Sequence, residues 1–179
     1  MLLAARDAFA ARGYSGASMR TIAADAGVTA MALYNYASSK AALFELVWGE
    51  SVEALYAEFA KAIAGQATLV DEINAVFDAA YAAFVDDPVG LLFTSRLLVE
   101  RRHPDLAHID LHLTPYAEFF VDITERAVRR RELKRSQQVA FIGFVTTLLW
   151  GFTSIATLEP AVLQISVEAS KAAVARFLR

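Results

Sequence analysis

The chain has 179 residues, a length that allows one or two domains with a buried core. Hydrophobic residues make up 56% of it, which favours a well-packed protein with apolar interfaces, and the absence of cysteine excludes disulfides and thiolate metal sites. The net charge of −3 argues only weakly against nucleic-acid binding, because an acidic second domain can mask a locally basic face. No signal peptide precedes the first predicted helix, so we expect a cytoplasmic protein.

The first predicted element is a helix over residues 1–12. Leu2, Ala5 and Phe9 recur in it at helical spacing and form its inward face. Gly13 ends this helix, and a short link leads to the next one.

Three helix starts follow within a short segment. Ser18 is an N-cap candidate for a helix over 19–26, because its hydroxyl can accept from an unpaired backbone N–H. Gly27 suits the left-handed residue that ends such a helix. Thr29 and Ser39 are the corresponding caps of the next two helices. This pattern predicts a helix-turn-helix, which places its second helix in the DNA major groove.

Several motifs stand in register over roughly the first quarter of the chain. They are Ala8-Phe9-Ala10-x-x-Gly13-Tyr14, Thr21-Ile22-Ala23, Ala26-Gly27-Val28-Thr29, Leu33-Tyr34-x-Tyr36 and Ser39-Lys40-x-x-Leu43-Phe44. Together they resemble the DNA-binding domain of the tetracycline-repressor (TetR) family. The resemblance implies an all-α protein, with a helix-turn-helix domain over 1–47 and a helical ligand-binding and dimerisation domain over 48–179.

Three positions depart from the usual pattern of that family. Met31 stands where the family often has Gly, Ala32 where Thr or Ser is common, and Ala37 where an aromatic residue usually follows Tyr36. These departures leave the predicted fold unchanged, and they make the operator sequence hard to infer.

The resemblance implies that residues 30–36 form the recognition helix. The hydroxyls of Thr29, Tyr34 and Tyr36 can donate to phosphates, which positions the protein without reading sequence. Met31 and Ala32 offer only apolar contact, as with a thymine methyl. The alternative interpretation is that the two tyrosines are packing residues.

Two cations flank this helix in the sequence. Arg20 can reach a guanine edge, although it could equally be a solvated charge. Lys40 combines its charge with the backbone N–H groups of a helix start and can hold a phosphate. The predicted DNA contacts are Ser18, Arg20, Thr29, Ala30, Met31, Ala32, Tyr34, Asn35, Tyr36 and Lys40.

The rest of the chain shows helical periodicity and no strand-like alternation, which predicts an all-α fold. The further helices are predicted over 40–64, 69–86, 88–102, 115–131, 136–158 and 161–178.

Residues 139–158 contain no charged residue, which makes them a candidate membrane span. Threonine and serine residues make this stretch only moderately apolar, and small residues in it allow close approach of another helix. The TetR resemblance implies instead that the last two helices pair with those of a second copy. We therefore predict a homodimer, with a membrane span as the alternative. The predicted dimerisation residues are Gly143, Thr147, Gly151 and Ser154.

The second domain is rich in aromatic residues, which are more often ordinary core than ligand contacts. The resemblance implies, however, that its middle helices enclose an inducer cavity. An apolar lining would favour a hydrophobic or aromatic small molecule. The ligand contacts inferred in this way are Tyr81, Phe84, Phe119, Phe120, Ile123 and Trp150.

Three histidines cluster in the middle of the chain. His108 and His112 have the spacing of two metal ligands on a helix, and Asp105 could supply a third. Because prolines flank the segment, solvated loop histidines are the preferred interpretation, and no metal site is predicted.

These features predict a ligand-responsive transcriptional regulator, in particular a repressor. It would bind a palindromic operator as a homodimer and be released by a hydrophobic small molecule. The alternatives are a helical adaptor that does not bind DNA, a membrane-associated protein and an enzyme. An enzyme needs a nucleophile–base pair, a Gly-rich phosphate loop or a metal cluster. None of these stands out, so we predict no catalytic residues and no cofactor.

Overall fold

The computed structural model describes residues 1–100, 102–107, 114–155 and 160–179, with the side chains at 97, 98, 114–117, 153–155 and 160 outside the description. These segments contain helices and loops and no strand, which confirms the predicted all-α class. The helices are α1 (Leu2–Gly16), α2 (Met19–Asp25), α3 (Ala30–Tyr36), α4 (Lys40–Ile63), α5 (Leu69–Asp86), α6 (Pro88–Glu100), α7 (Thr114–Arg129), α8 (Gln138–Ile155) and α9 (Pro160–Phe177).

The helix boundaries agree with the predicted ones to within a few residues. Helix α5 begins and ends at the predicted residues, and the helix over 88–102 is shorter at its carboxyl end. Two short 3-10 turns, Pro104–Leu106 and Arg135–Gln137, are additional. No helix within the described segments combines the length and the apolar character needed to cross a bilayer.

The helices form two compact units. One comprises Met1–Glu53 with Asp87–Leu111, and the other comprises Ala54–Asp86 with His112–Arg179. Helix α6 belongs to the first unit because it packs along α1, and α4 supplies residues to both units. The predicted division of function between 1–47 and 48–179 stays a prediction.

The core of the first unit is aromatic. Phe9 of α1 lies edge-on to Phe44 of α4, with ring centres 5.0 Å apart. Phe93 of α6 packs against Phe44 at 5.4 Å and Trp48 packs against Phe93 at 6.3 Å. Aromatic pairs in these geometries stabilise a core beyond the area that they bury. Helices α1, α4 and α6 therefore share one apolar core.

Polar contacts join α1 to α6 at two places. Arg6 forms an ion pair with Asp87, the residue before α6. Near the other end of α1, the backbone N–H of Tyr14 donates to Oε1 of Glu100 at 3.0 Å. Gly13 has φ 68° and ψ 174°, a conformation open almost only to glycine, so the α-helical path is interrupted there as predicted.

The second unit buries the apolar stripe of α5. Ile73, Val76 and Phe77 are fully buried, as their spacing predicts. Glu72 is buried beside them, and its carboxylate accepts from Arg126 at 3.0 Å and from Arg130 at 2.9 Å. A buried charge requires such partners, so this network ties α5 to α7.

Candidate nucleic-acid interface

Side-chain caps set the ends of the two short helices α2 and α3. The hydroxyl of Ser18 accepts from the N–H of Thr21 at 3.2 Å, and that of Thr29 accepts from the N–H of Ala32 at 3.1 Å. Gly27 has φ 68°, the left-handed conformation that turns the chain between the helices. The predicted caps and turn are confirmed, and they are the local reason why this sequence forms a helix-turn-helix.

Helix α3 is anchored by one buried side chain and exposes most of the others. Leu33 is 0% exposed, whereas Met31 is 71% exposed. Tyr34 and Tyr36 are 49% and 44% exposed, so they are not core residues within this chain. Among the predicted contacts on and next to this helix, Ala30 is half-buried and the exposed ones are Thr29, Met31, Ala32, Tyr34, Asn35 and Tyr36.

The helix-turn-helix carries few charges. Between Ser18 and Lys40 the charged residues are Arg20, Asp25 and Lys40. Asp25 accepts from Arg12 at 3.0 Å. Arg20 is exposed and has no hydrogen-bond or ion-pair partner within the described part of the chain. Its guanidinium is therefore free to meet a phosphate or a base edge.

Lys40 is placed differently from Arg20. Its ammonium donates to the carbonyl oxygens of Tyr14 at 2.7 Å and Ala17 at 3.1 Å, and it lies 4.2 Å from the centre of the Tyr14 ring. This geometry argues against the predicted phosphate contact by the Lys40 ammonium, because its donors already face carbonyls at the end of α1. The nearby N–H of Ala42 is likewise occupied, by the hydroxyl of Ser39 at 3.0 Å.

Residues 1–47 match the family model described as bacterial regulatory proteins of the tetR family. Over these residues the chain is similar to the DNA-binding domain of that family. A comparison with curated proteins found no match.

The TetR-like fold extends over the whole chain. A TetR-family regulator from Rhodococcus sp. superposes with a TM-score of 0.82 at 18% identity, covering 99% of this chain and 96% of that one. AibR in complex with isovaleryl coenzyme A and operator DNA gives 0.72 at 16% identity, covering 95% and 93%. FadR from Bacillus subtilis in complex with stearoyl-CoA gives 0.73 at 18% identity, covering 94% and 95%. At sequence identities this low, the structural similarity shows the fold alone.

The first unit also uses Asp105, one of the candidate metal ligands, together with its neighbour His103. The hydroxyl of Tyr14 donates to Asp105 at 3.2 Å, and the Tyr14 ring lies 4.7 Å from that of His103. Burial, and then the Asp105 carboxylate, raise the pKa of Tyr14 to about 12. Nδ1 of His103 accepts from the N–H of Asp105 at 3.2 Å, so His103 caps the 3-10 turn. The other two candidates, His108 and His112, lie outside the described residues.

The predicted ligand contacts of the TetR-like second unit divide into two groups. Phe120 and Ile123 are fully buried and belong to the core. Phe119 is half-buried and contacts two rings from α4, Tyr56 at 5.4 Å and Phe59 at 6.1 Å. The sequence analysis did not select these two rings as ligand contacts. Of the remaining predicted contacts, Phe84 is buried and the half-buried ones are Tyr81 and Trp150.

The predicted dimerisation residues lie on α8, which packs against α9. Gly143, Thr147 and Gly151 are exposed, and the side chain of Ser154 lies outside the described residues. The same two helices expose large apolar side chains that the sequence analysis did not select. Val139 is 83% exposed and Ile165 is 69% exposed.

Proposed function

We propose that the chain is a one-component transcriptional repressor that binds a two-fold symmetric operator as a homodimer. The observation that carries this proposal is the capped, exposed helix α3, anchored by Leu33 within a domain that matches the tetR family model. An exposed second helix of a helix-turn-helix fits the DNA major groove. The protein would act in the cytoplasm, where its operator is.

The proposed DNA contacts fall into three chemical classes. Thr29, Tyr34 and Tyr36 present exposed hydroxyls that suit phosphate oxygens. Arg20 supplies the free positive charge. Met31 and Asn35 lie on the exposed surface of α3 and suit base edges. Binding would therefore rely on neutral hydrogen bonds and apolar contacts more than on charge.

The homodimer is supported by the exposed face of the last two helices. Val139 and Ile165 are large apolar side chains in water on an isolated subunit, and Gly143, Thr147 and Gly151 leave room for close approach of another helix. Two copies joined there would carry two recognition helices. The corresponding half-sites would lie about 34–36 Å, or a multiple of that distance, apart.

An acyl-CoA ester is the ligand class that we propose first, since AibR and FadR from Bacillus subtilis were solved with such esters. The ring cluster of Phe119, Tyr56 and Phe59 would suit the apolar acyl chain. Binding of the ligand would favour a conformation of the dimer in which the distance between the two recognition helices no longer matches the half-site spacing. Helix α4 would transmit this movement. A ligand that bound both conformations equally would have no effect.

The test is selection of duplexes from a random DNA pool by the full-length protein, followed by titration of the enriched duplex. We expect enrichment of a two-fold symmetric sequence and its release by an acyl-CoA series of increasing chain length. A matched pair of variants is Leu33→Ala, which removes the buried anchor of α3, and Val121→Ala, an exposed position on α7. Only the first should abolish enrichment. A pool that stays random with the wild-type protein would favour the adaptor alternative.

A further inference from the structure

The centre of the exposed face of α3 is set by the position of its anchor. Successive residues of an α-helix are about 100° apart, so residues two positions before and after Leu33 point away from it. These residues are Met31 and Asn35, and both are exposed. One helical turn separates them, which places them next to each other at the centre of that face.

This central pair has no charge, and neither has the rest of α3, whose sequence is AMALYNY. The commonest reader of guanine is an arginine or lysine that donates to O6 and N7. Arg20, the free cation of the domain among the described residues, lies on α2. Helix α3 itself therefore carries no such guanine reader.

Met31 combines large apolar surface with high exposure. It is 71% exposed, more than any other large apolar side chain between Ser18 and Lys40 in the described structure. Among the groups on base edges in the major groove, the 5-methyl of thymine is the apolar one. Contact between the Met31 side chain and a thymine methyl removes apolar surface of both groups from water.

We propose that Met31 reads a thymine methyl, so that each operator half-site has an A·T pair under the first turn of α3. This inference rests on the proposed function, because it requires α3 to enter the major groove. Asn35, the neighbouring central residue, suits the N6 and N7 groups of an adenine. The two central residues of α3 would then each contact an A·T pair.

The test uses the duplex enriched by the full-length protein, with single thymines in one half-site replaced by deoxyuridine. Deoxyuridine lacks only the methyl group. We expect one position at which this replacement weakens binding by about four-fold, the effect of one buried methyl-sized group. Met31→Ala should bind the thymine and deoxyuridine duplexes equally, and because Met31 is exposed the variant should fold normally.

Asn35→Ala is the matched control, since it removes the other central side chain of the same helix. It should weaken binding to both the thymine and the deoxyuridine duplex and leave the ratio of their dissociation constants unchanged. An enriched duplex that binds equally with thymine and deoxyuridine at every position would overturn this inference and leave the proposed function standing. So would an unchanged ratio in Met31→Ala. If no duplex is enriched, the proposed function and this inference both fall.

Discussion

The ammonium of Lys40 donates to the carbonyl oxygen of Tyr14 at 2.7 Å and lies 4.2 Å from the centre of its ring. Lys40 begins α4, and Tyr14 lies in the last turn of α1. The contact therefore joins two helices of the first compact unit. In Tyr14 the same ammonium meets both a carbonyl dipole and the negative face of a ring. A residue that resembles a phosphate contact in the sequence thus has partners within the protein.

Lys40→Ala should destabilise the protein and leave the electrostatics of DNA binding almost unchanged. Hydrogen bonds to a charged group contribute about 1.5–3 kcal/mol, which is the loss expected in the free energy of unfolding by urea. The control is Arg20→Ala, which should change stability by less than about 0.5 kcal/mol and reduce the salt dependence of operator binding by about one phosphate contact per subunit. If Lys40→Ala instead reduces the salt dependence and keeps full stability, Lys40 does contact a phosphate.

Gly13→Ala should destabilise the protein more than Gly27→Ala does. Both glycines have φ 68°, but a Cβ at Gly27 has no neighbour within 4 Å, whereas one at Gly13 collides with the carboxylate of Glu100. A backbone conformation of this kind costs alanine about 1–3 kcal/mol, and ψ of 174° makes the conformation of Gly13 open almost only to glycine. The clash at Gly13 should add to that cost, as measured by urea unfolding of both variants. Equal losses in the two variants would contradict this prediction.

The free energy of unfolding depends on pH through Glu132. Burial would raise its pKa, but hydrogen bonds from Arg130 and from the N–H of Leu69 outweigh burial and hold the pKa below its usual value. A carboxylate whose pKa is lower in the folded state than in the unfolded state stabilises the folded protein. This stabilisation is complete above the unfolded-state pKa, and it is lost as the pH falls through the folded-state pKa.

Glu132→Gln should therefore lower the free energy of unfolding near pH 7 and reduce its decline as the pH falls below the usual glutamate pKa of about 4.3. The measurement is urea unfolding at a series of pH values. Glu118→Gln is the control, because Glu118 is exposed and has no ion-pair partner among the described residues. Equal pH profiles for wild type and Glu132→Gln would contradict the linkage.

Ile165→Lys should weaken the proposed dimer. A lysine within an apolar interface is expected to cost about 2 kcal/mol or more, or about thirty-fold in the dissociation constant. Sedimentation at a series of concentrations measures this change, and Ile165 is exposed on the single subunit, so the fold should survive. Val121→Lys on α7 is the control and should keep the wild-type dimer. A wild-type protein that sediments as a monomer would contradict the prediction.

Much of the helix-turn-helix could be predicted because its signals are local. Ser18 and Thr29 cap helices through N–H groups three residues ahead, and Gly27 turns the chain by its own conformation. The apolar spacing of Leu33 and of the α5 stripe likewise identifies their inward faces without knowledge of their partners. The position of Ile165 on an exposed face was missed, because spacing alone does not tell which apolar side of α9 meets its own subunit.

The sequence by itself determined the caps of α2 and α3 and the approximate extent of the helices, since these depend on neighbours within one or two turns. Only the tertiary structure decided the partners of the charged groups. Lys40 meets a carbonyl 26 residues away, and Glu72 is buried with Arg126, 54 residues away. Such pairs depend on how distant helices pack, and a charge is equally compatible in sequence with solvent, DNA or a buried partner.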